Sequence, residues 1–142
     1  MPEEQLTIGE LASRTGVATS ALRYWEEIGL LPAPTRVSGQ RRYDLLVTAH
    51  VGEVLLLREA GYTLRELKAL FTARENPDGD WRELARRKLA ELDHRIARVQ
   101  AARTLIAHGL ACPHEDVREC PNHASVIAAR LAGASLAEAH GH

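Results

Sequence analysis

The sequence predicts a mainly α protein: a helical head carrying a basic hairpin, one long helix that needs a partner from outside the chain, and a short tail bearing both cysteines. Three observations carry this reading. Two Thr-x-x-Glu boxes, Thr7 to Glu10 and Thr63 to Glu66, each open a stretch with apolar residues at helical spacing. Between positions 80 and 110, Ala85, Leu89, Leu92, Ile96, Val99, Ile106 and Leu110 follow a heptad interrupted only by Arg103. Aromatic residues are 4% of the chain against 45% hydrophobic, so the core must be aliphatic, which suits helices.

Composition narrows the function. A chain of 142 residues fits one small domain plus an extension. No run approaches the roughly 18 apolar residues of a membrane span. Met1-Pro2-Glu3-Glu4 lacks the basic and apolar regions of a signal peptide, so a cytoplasmic location without a membrane partner is expected. In that compartment two cysteines read as thiols, metal ligands or a redox switch rather than a structural disulfide. The net charge is −1, so any nucleic-acid footprint must be local. No nucleophile–base pair or phosphate loop stands out, which argues against an enzyme.

The first box starts a helix on which Ile8, Leu11 and Ala12 share a side, and Gly16 supplies a tight turn. A second helix begins near Thr19, with Leu22, Trp25 and Ile28 inward, and ends at Gly29. Two short helices about a glycine turn make a helix-turn-helix. Ser20, Arg23, Tyr24 and Glu27 fall on the opposite face, where base edges or phosphates are met; a helical hairpin with a solvated polar face is the alternative. Next, Arg36-Val37-Ser38-Gly39-Gln40-Arg41-Arg42-Tyr43 reads as two short strands around a Ser-Gly turn. Its three arginines and one tyrosine fit a wing on the phosphate backbone, with a solvated basic turn as the alternative. Asp44 caps a third helix with Leu46, Val47, Val51, Val54 and Leu55 in the core, and His50 sits at its boundary. The second box opens a fourth helix, with Leu64, Leu67, Leu70 and Phe71 inward.

Thr7-Ile8-Gly9-Glu10-Leu11-Ala12, Ala21-Leu22-Arg23-Tyr24-Trp25-Glu26-Glu27-Ile28-Gly29-Leu30-Leu31 and Gln40-Arg41-Arg42-Tyr43-Asp44 together resemble the DNA-binding head of the MerR family of transcriptional regulators. The resemblance covers residues 7 to about 73 and continues more loosely along the long helix. It implies a winged helix-turn-helix head, an antiparallel coiled-coil homodimer, and binding to double-stranded promoter DNA, which is bent and untwisted for RNA polymerase. By matching position, Arg23 and Tyr24 lie on the recognition helix, and Arg36, Arg42 and Tyr43 lie in or beside the wing on phosphates; Arg41 and Ser20 complete the expected DNA face. Trp25 replaces a frequent second tyrosine and is read as a core residue. The expected domains are 1–75 for DNA binding, 76–111 for dimerisation, and 112–142 for a Cys/His effector-binding loop and C-terminal tail.

The long helix has Asp80 as its cap after Pro77-Asp78-Gly79, and Pro113 ends it, which gives a rod of roughly 45 Å at about 1.5 Å per residue. Its charged flanks make the stripe a narrow coiled-coil seam; the alternative is a long helix packed on its own domain. Cys112-Pro113 and Cys120-Pro121, with seven residues between the cysteines, resemble the metal loop of the family's copper-group sensors. Two thiolates suit Cu(I), whereas Cys112, Cys120, His114 and His123 as a Cys₂His₂ set would suit Zn²⁺. The family's divalent-ion sensors add a cysteine from the start of the partner's dimer helix, and this chain offers only Asp78 and Asp80 there. A thiol–disulfide switch and inert thiols at a helix end are the other readings of the tail. Beyond Ala124, Val126, Ile127, Leu131 and Leu136 read as a docking amphipathic helix, and His140 and His142 as a loose end. The expected function is an effector-responsive dimeric transcriptional regulator, and the runner-up is a metal-binding or thiol-buffering protein whose head binds DNA passively.

Overall fold

Thr7 closes its capping box as the sequence predicts: its hydroxyl accepts from the Glu10 amide and the Glu10 carboxylate accepts from the Thr7 amide, both at 3.1 Å. The computed structural model describes residues 5–140, apart from the His140 side chain; the expectations for Met1 to Glu4 and for His142 lie outside the described residues. Two compact units divide them, residues 5–85 and 86–140. Among the described residues no helix is long and apolar enough to cross a membrane.

The first unit runs β1 (Gln5–Leu6), α1 (Ile8–Thr15), α2 (Thr19–Glu27), β2 (Thr35–Val37), β3 (Gln40–Asp44), α3 (Leu46–Glu59), α4 (Leu64–Glu75) and the start of α5 (Trp81–Ala111). The sheet is antiparallel in the order β1-β3-β2, with Leu6 opposite Tyr43 and Arg36 opposite Arg41. β1 has only two residues, too few to show a period-2 pattern, and is absent from the sequence reading. Ser38 and Gly39 both take positive φ, 53° and 78°, as a two-residue type I′ hairpin turn requires. Gly16, at φ 75°, ends α1 in the left-handed region.

Leu11, Leu22, Val51, Val54 and Leu67 are completely buried, and Trp25 joins this core. The stripe of α3 is narrower than expected. Val47, Val51 and Val54 are inside at spacings of 4 and 3, whereas Leu46 and Leu55 flank that line and are exposed, a correction to their expected core place. Asp44 serves α3 as predicted, accepting from the Leu46 amide at 2.9 Å. His50 holds the Leu30 carbonyl at 2.8 Å and packs on Phe71, a structural histidine at the core boundary. Thr63 and Glu66 repeat the capping box at α4. Asp80 accepts from the Glu83 amide at 3.0 Å to start α5. A Cβ on Gly79 would stand 2.3 Å from the Ala73 carbonyl oxygen, so only glycine allows that turn.

The second unit contains most of α5, a 3-10 turn (Val117–Glu119), α6 (Pro121–Leu131) and α7 (Leu136–His140). Leu89, Ile96, Val99, Ile106 and Leu110 are all more than half exposed in the single chain, as a seam awaiting a partner would be. The C-terminal helix differs from expectation. It begins at Pro121, because proline is pre-organised for a first helical position, and its Ile127 and Leu131 are exposed rather than docked.

Candidate nucleic-acid interface and metal centre

Strand alternation sorts the Arg41-Arg42-Tyr43 run into two roles. Residues two apart on β3 point the same way, so Arg41 and Tyr43 both reach Glu26 on α2. Arg41 Nε lies 3.1 Å and the Tyr43 hydroxyl 3.0 Å from the same Glu26 Oε2. Tyr43 is buried, with 1% exposure, and burial followed by its bond to the Glu26 carboxylate pushes its pKa up to about 12. The expectation of Tyr43 on a phosphate therefore meets a side chain already committed to the core. Arg42, on the other strand face, is half-buried, and its charge helps to lower the pKa of the Glu10 carboxyl.

Ser20, Arg23 and Tyr24 are exposed on α2 as expected, with Tyr24 at 52%, while Trp25 is inside. Arg36 is exposed on β2 and donates to the Gly39 carbonyl at 3.3 Å, which braces the turn. Arg23, Arg41, Thr7, Ile8 and the hairpin tip residues Gly39 and Gln40 line one shallow cavity of about 310 Å³. Helix α2 and the hairpin thus share one concavity, in which Arg23 can meet an anionic backbone while Arg41 is paired with Glu26. The Arg41–Glu26 pair fixes the hairpin to α2.

The tail residues converge, though on a different set from the expected one. His108, Cys112 and Cys120 each offer one ligand atom, and these atoms all lie within 4.8 Å of one another. His108 and Cys112 are four apart near the end of α5, so helical geometry puts both on one face. Cys120 is the N-cap of α6 and is buried. Its sulfur lies 3.6 Å from His108 Nε2, and the amides of His123 and Asn122 act on it electrostatically. The His108 imidazole first, then those amides and Cys112, bring the Cys120 thiol down to about 6.

Of the four expected ligands, the structure brings Cys112 and Cys120 together. His114 Nδ1 is 3.2 Å from Cys112 Sγ without joining the three-residue set. His123 contributes its backbone amide to Cys120 rather than an imidazole. His108 lies on the helix, outside the loop that holds the cysteines, and the His-x-x-x-Cys spacing into Cys112 is its signal in the sequence. Two thiols and an imidazole are a donor set that soft and borderline cations accept, so the residues fit a metal ion.

Two family models match the chain: "MerR family regulatory protein" over residues 7–43 and "MerR, DNA binding" over residues 50–109. The HTH-type transcriptional regulator CueR of Salmonella typhi is 32% identical over 123 residues, spanning 82% of this chain and 88% of that protein. The heavy metal-dependent transcription regulator 2 of Rhizobium meliloti is 31% identical over 121 residues, spanning 82% of each. Among solved structures, the transcription regulator PbrR691 from Ralstonia metallidurans, in complex with lead(II), is similar at a TM-score of 0.61 and 28% identity, covering 81% of this chain and 94% of that one.

Proposed function

Because the chain belongs to the MerR family of DNA-binding transcriptional regulators, and is therefore a regulator rather than an enzyme, we propose that it is a metal-responsive homodimer acting on RNA polymerase at a promoter. The observation that carries the metal reading is the convergence of His108, Cys112 and Cys120. Relatives named as heavy metal-dependent, or solved with lead(II), support it.

In this reading Arg23, Tyr24 and Ser20 on α2 meet the groove, while Arg36 and Arg42 on the wing grip phosphates and set register. Arg41 and Tyr43 act at one remove, holding the wing against α2 through Glu26. Distorting a promoter costs a few kcal/mol, and phosphate contacts from two heads offset it. Two copies supply those heads, through the exposed α5 seam. His108 and Cys112 near the end of α5 and Cys120 at the start of α6 would hold the cation, so that binding fastens one helix end to the other. Sulfur ligation by thiolates requires deprotonated cysteines, and the surroundings of Cys120 lower its pKa toward that form.

The test is a salt-resolved titration of a fragment of the chain's own promoter, with in vitro transcription alongside, on reduced protein with and without Cu(I) or Zn²⁺. Specific binding, with transcription altered by an ion in wild type and unaltered in Cys120→Ser, is expected. Metal-independent binding and transcription would refute the proposal. A response to mild oxidant alone, through both cysteines, would replace the metal with a disulfide switch.

A further inference from the structure

We propose that His108 is a full ligand, so that the site is a three-donor Cys₂His centre that prefers a borderline divalent cation of the zinc class to a monovalent ion held by sulfur alone. This rests on the metal-responsive reading and deepens it by naming the class of ion. The argument begins with position. A histidine four residues before Cys112 shares its helix face, and the imidazole turns toward the buried Cys120 rather than to solvent.

The separations match the chemistry. Tetrahedral bonds of about 2.3 Å to sulfur and about 2.0 Å to nitrogen put neighbouring S and N ligand atoms roughly 3.5 Å apart. His108 Nε2 stands 3.6 Å from Cys120 Sγ, and all three ligand atoms fall within 4.8 Å. An imidazole in the set favours zinc-like ions, because a soft monovalent ion is satisfied by two thiolates. Asn122 Nδ2 is 3.5 Å from the same His108 nitrogen, a long contact that a metal ion on that nitrogen would displace. His114, bonded to Cys112 at 3.2 Å, acts as an outer partner that steadies the thiolate.

The experiment uses the full reduced chain under anaerobic conditions. Co²⁺ serves as the spectroscopic probe and Zn²⁺ competes against a chromophoric chelator, in wild type, His108→Ala, His108→Asn and His114→Ala. Wild type should show sulfur-to-cobalt charge-transfer bands, four-coordinate visible bands and one hyperfine-shifted imidazole N–H. Both His108 variants should lose more than about a hundredfold in Zn²⁺ affinity, beyond the roughly ten- to hundredfold of an outer partner, and lose that N–H signal. Their Cu(I) affinity should change less than tenfold, and His114→Ala should keep the cobalt spectrum. Circular dichroism of the metal-free variants checks the fold, and His108→Asn, which retains a polar side chain, stands in if His108→Ala unfolds. Wild-type Zn²⁺ affinity in a folded His108 variant, or a shifted N–H assigned to His114, overturns the inference. If Cu(I) binds and tunes promoter affinity while Co²⁺ and Zn²⁺ do not bind, this inference fails and the metal-responsive function stands. If none of the three ions binds, both fail.

Discussion

Ile96→Asp tests whether the α5 seam is the dimer interface. Ile96 is 55% exposed in the single chain, so about half of a large aliphatic side chain remains to be covered by a partner. Full burial is worth up to about 3 kcal/mol, which leaves about 1.5 per copy and about 3 for a symmetric pair. The variant also drives two carboxylates into an apolar seam, at a further several kcal/mol each. The combined loss is on the order of 8 kcal/mol, and at about 1.4 kcal/mol per tenfold it raises the dissociation constant by more than about 10⁴. Sedimentation equilibrium from nanomolar to tens of micromolar should find wild type dimeric and the variant monomeric. Far-UV circular dichroism distinguishes dissociation from unfolding. Arg98→Asp makes a larger charge change, two units against one, at an exposed flanking position and should stay dimeric. An Ile96→Asp protein that remains a dimer at nanomolar concentration would place the interface elsewhere and refute the seam.

Three further outcomes follow from the two sites. Tyr43 has its pKa raised from 10.0 to about 12, so the folded state holds the proton more tightly than the unfolded chain; that stabilisation is complete below pH 10 and is lost as pH rises toward 12. Denaturant midpoints across that window should fall by an amount equivalent to about 2–3 kcal/mol more in wild type than in Tyr43→Phe, and parallel curves would count against the buried hydroxyl. Arg42→Ala should weaken DNA binding similarly on all sequences and reduce the slope of log K against log salt by about 0.9 if it holds one phosphate, so an unchanged slope removes it from the interface. Cys120 is lowered from 9.0 to about 6, so its contribution to stability is present above pH 9 and lost as pH falls through 6. Thiolate absorbance of Cys112→Ser should titrate near pH 6 and move upward in Cys112→Ser with His108→Ala; a midpoint near 9 in Cys112→Ser would dissolve the cluster.

Local signals were legible to the residue. Both capping boxes, the Asp80 cap and the Ser38-Gly39 turn sit where the sequence puts them, because each is decided by chemistry within four residues, whereas Asp44 serves α3 from one residue before its cap, Leu45. The extent of α5 was legible for the same reason, being one periodicity on one helix. What was lost depends on packing between elements. Leu46 and Leu55 satisfy a loose apolar count but lie off the line set by Val47, Val51 and Val54, and only contact with the rest of the head says which line faces inward. Tyr43 looked like a wing residue until strand alternation and Glu26, seventeen positions earlier, claimed it. His108 lay on a helix, outside the loop that held the cysteines, and chain folding after Cys112 brings Cys120 back to it.

Glu26 shows how a chain of net charge −1 can still build a surface for DNA. An acidic residue beside the wing works against phosphate binding if only its charge is counted. Its two bonds point to geometry instead: Arg36 and Arg41 stand directly opposite across the hairpin, and like charges so placed repel. By pairing with Arg41, Glu26 removes that repulsion within the hairpin and fastens β3 to α2, while Tyr43 holds the carboxylate from the core side. Arg23 and Arg36 form no ion pair with a carboxylate among the described residues, and Arg42 meets Glu10 only through the longer-range field. The cationic field is then smaller than the arginine count implies, but it is carried by elements whose spacing is fixed. That trade favours register over raw affinity, since phosphate contacts position a head on the duplex only if they are held rigidly relative to the helix that reads it.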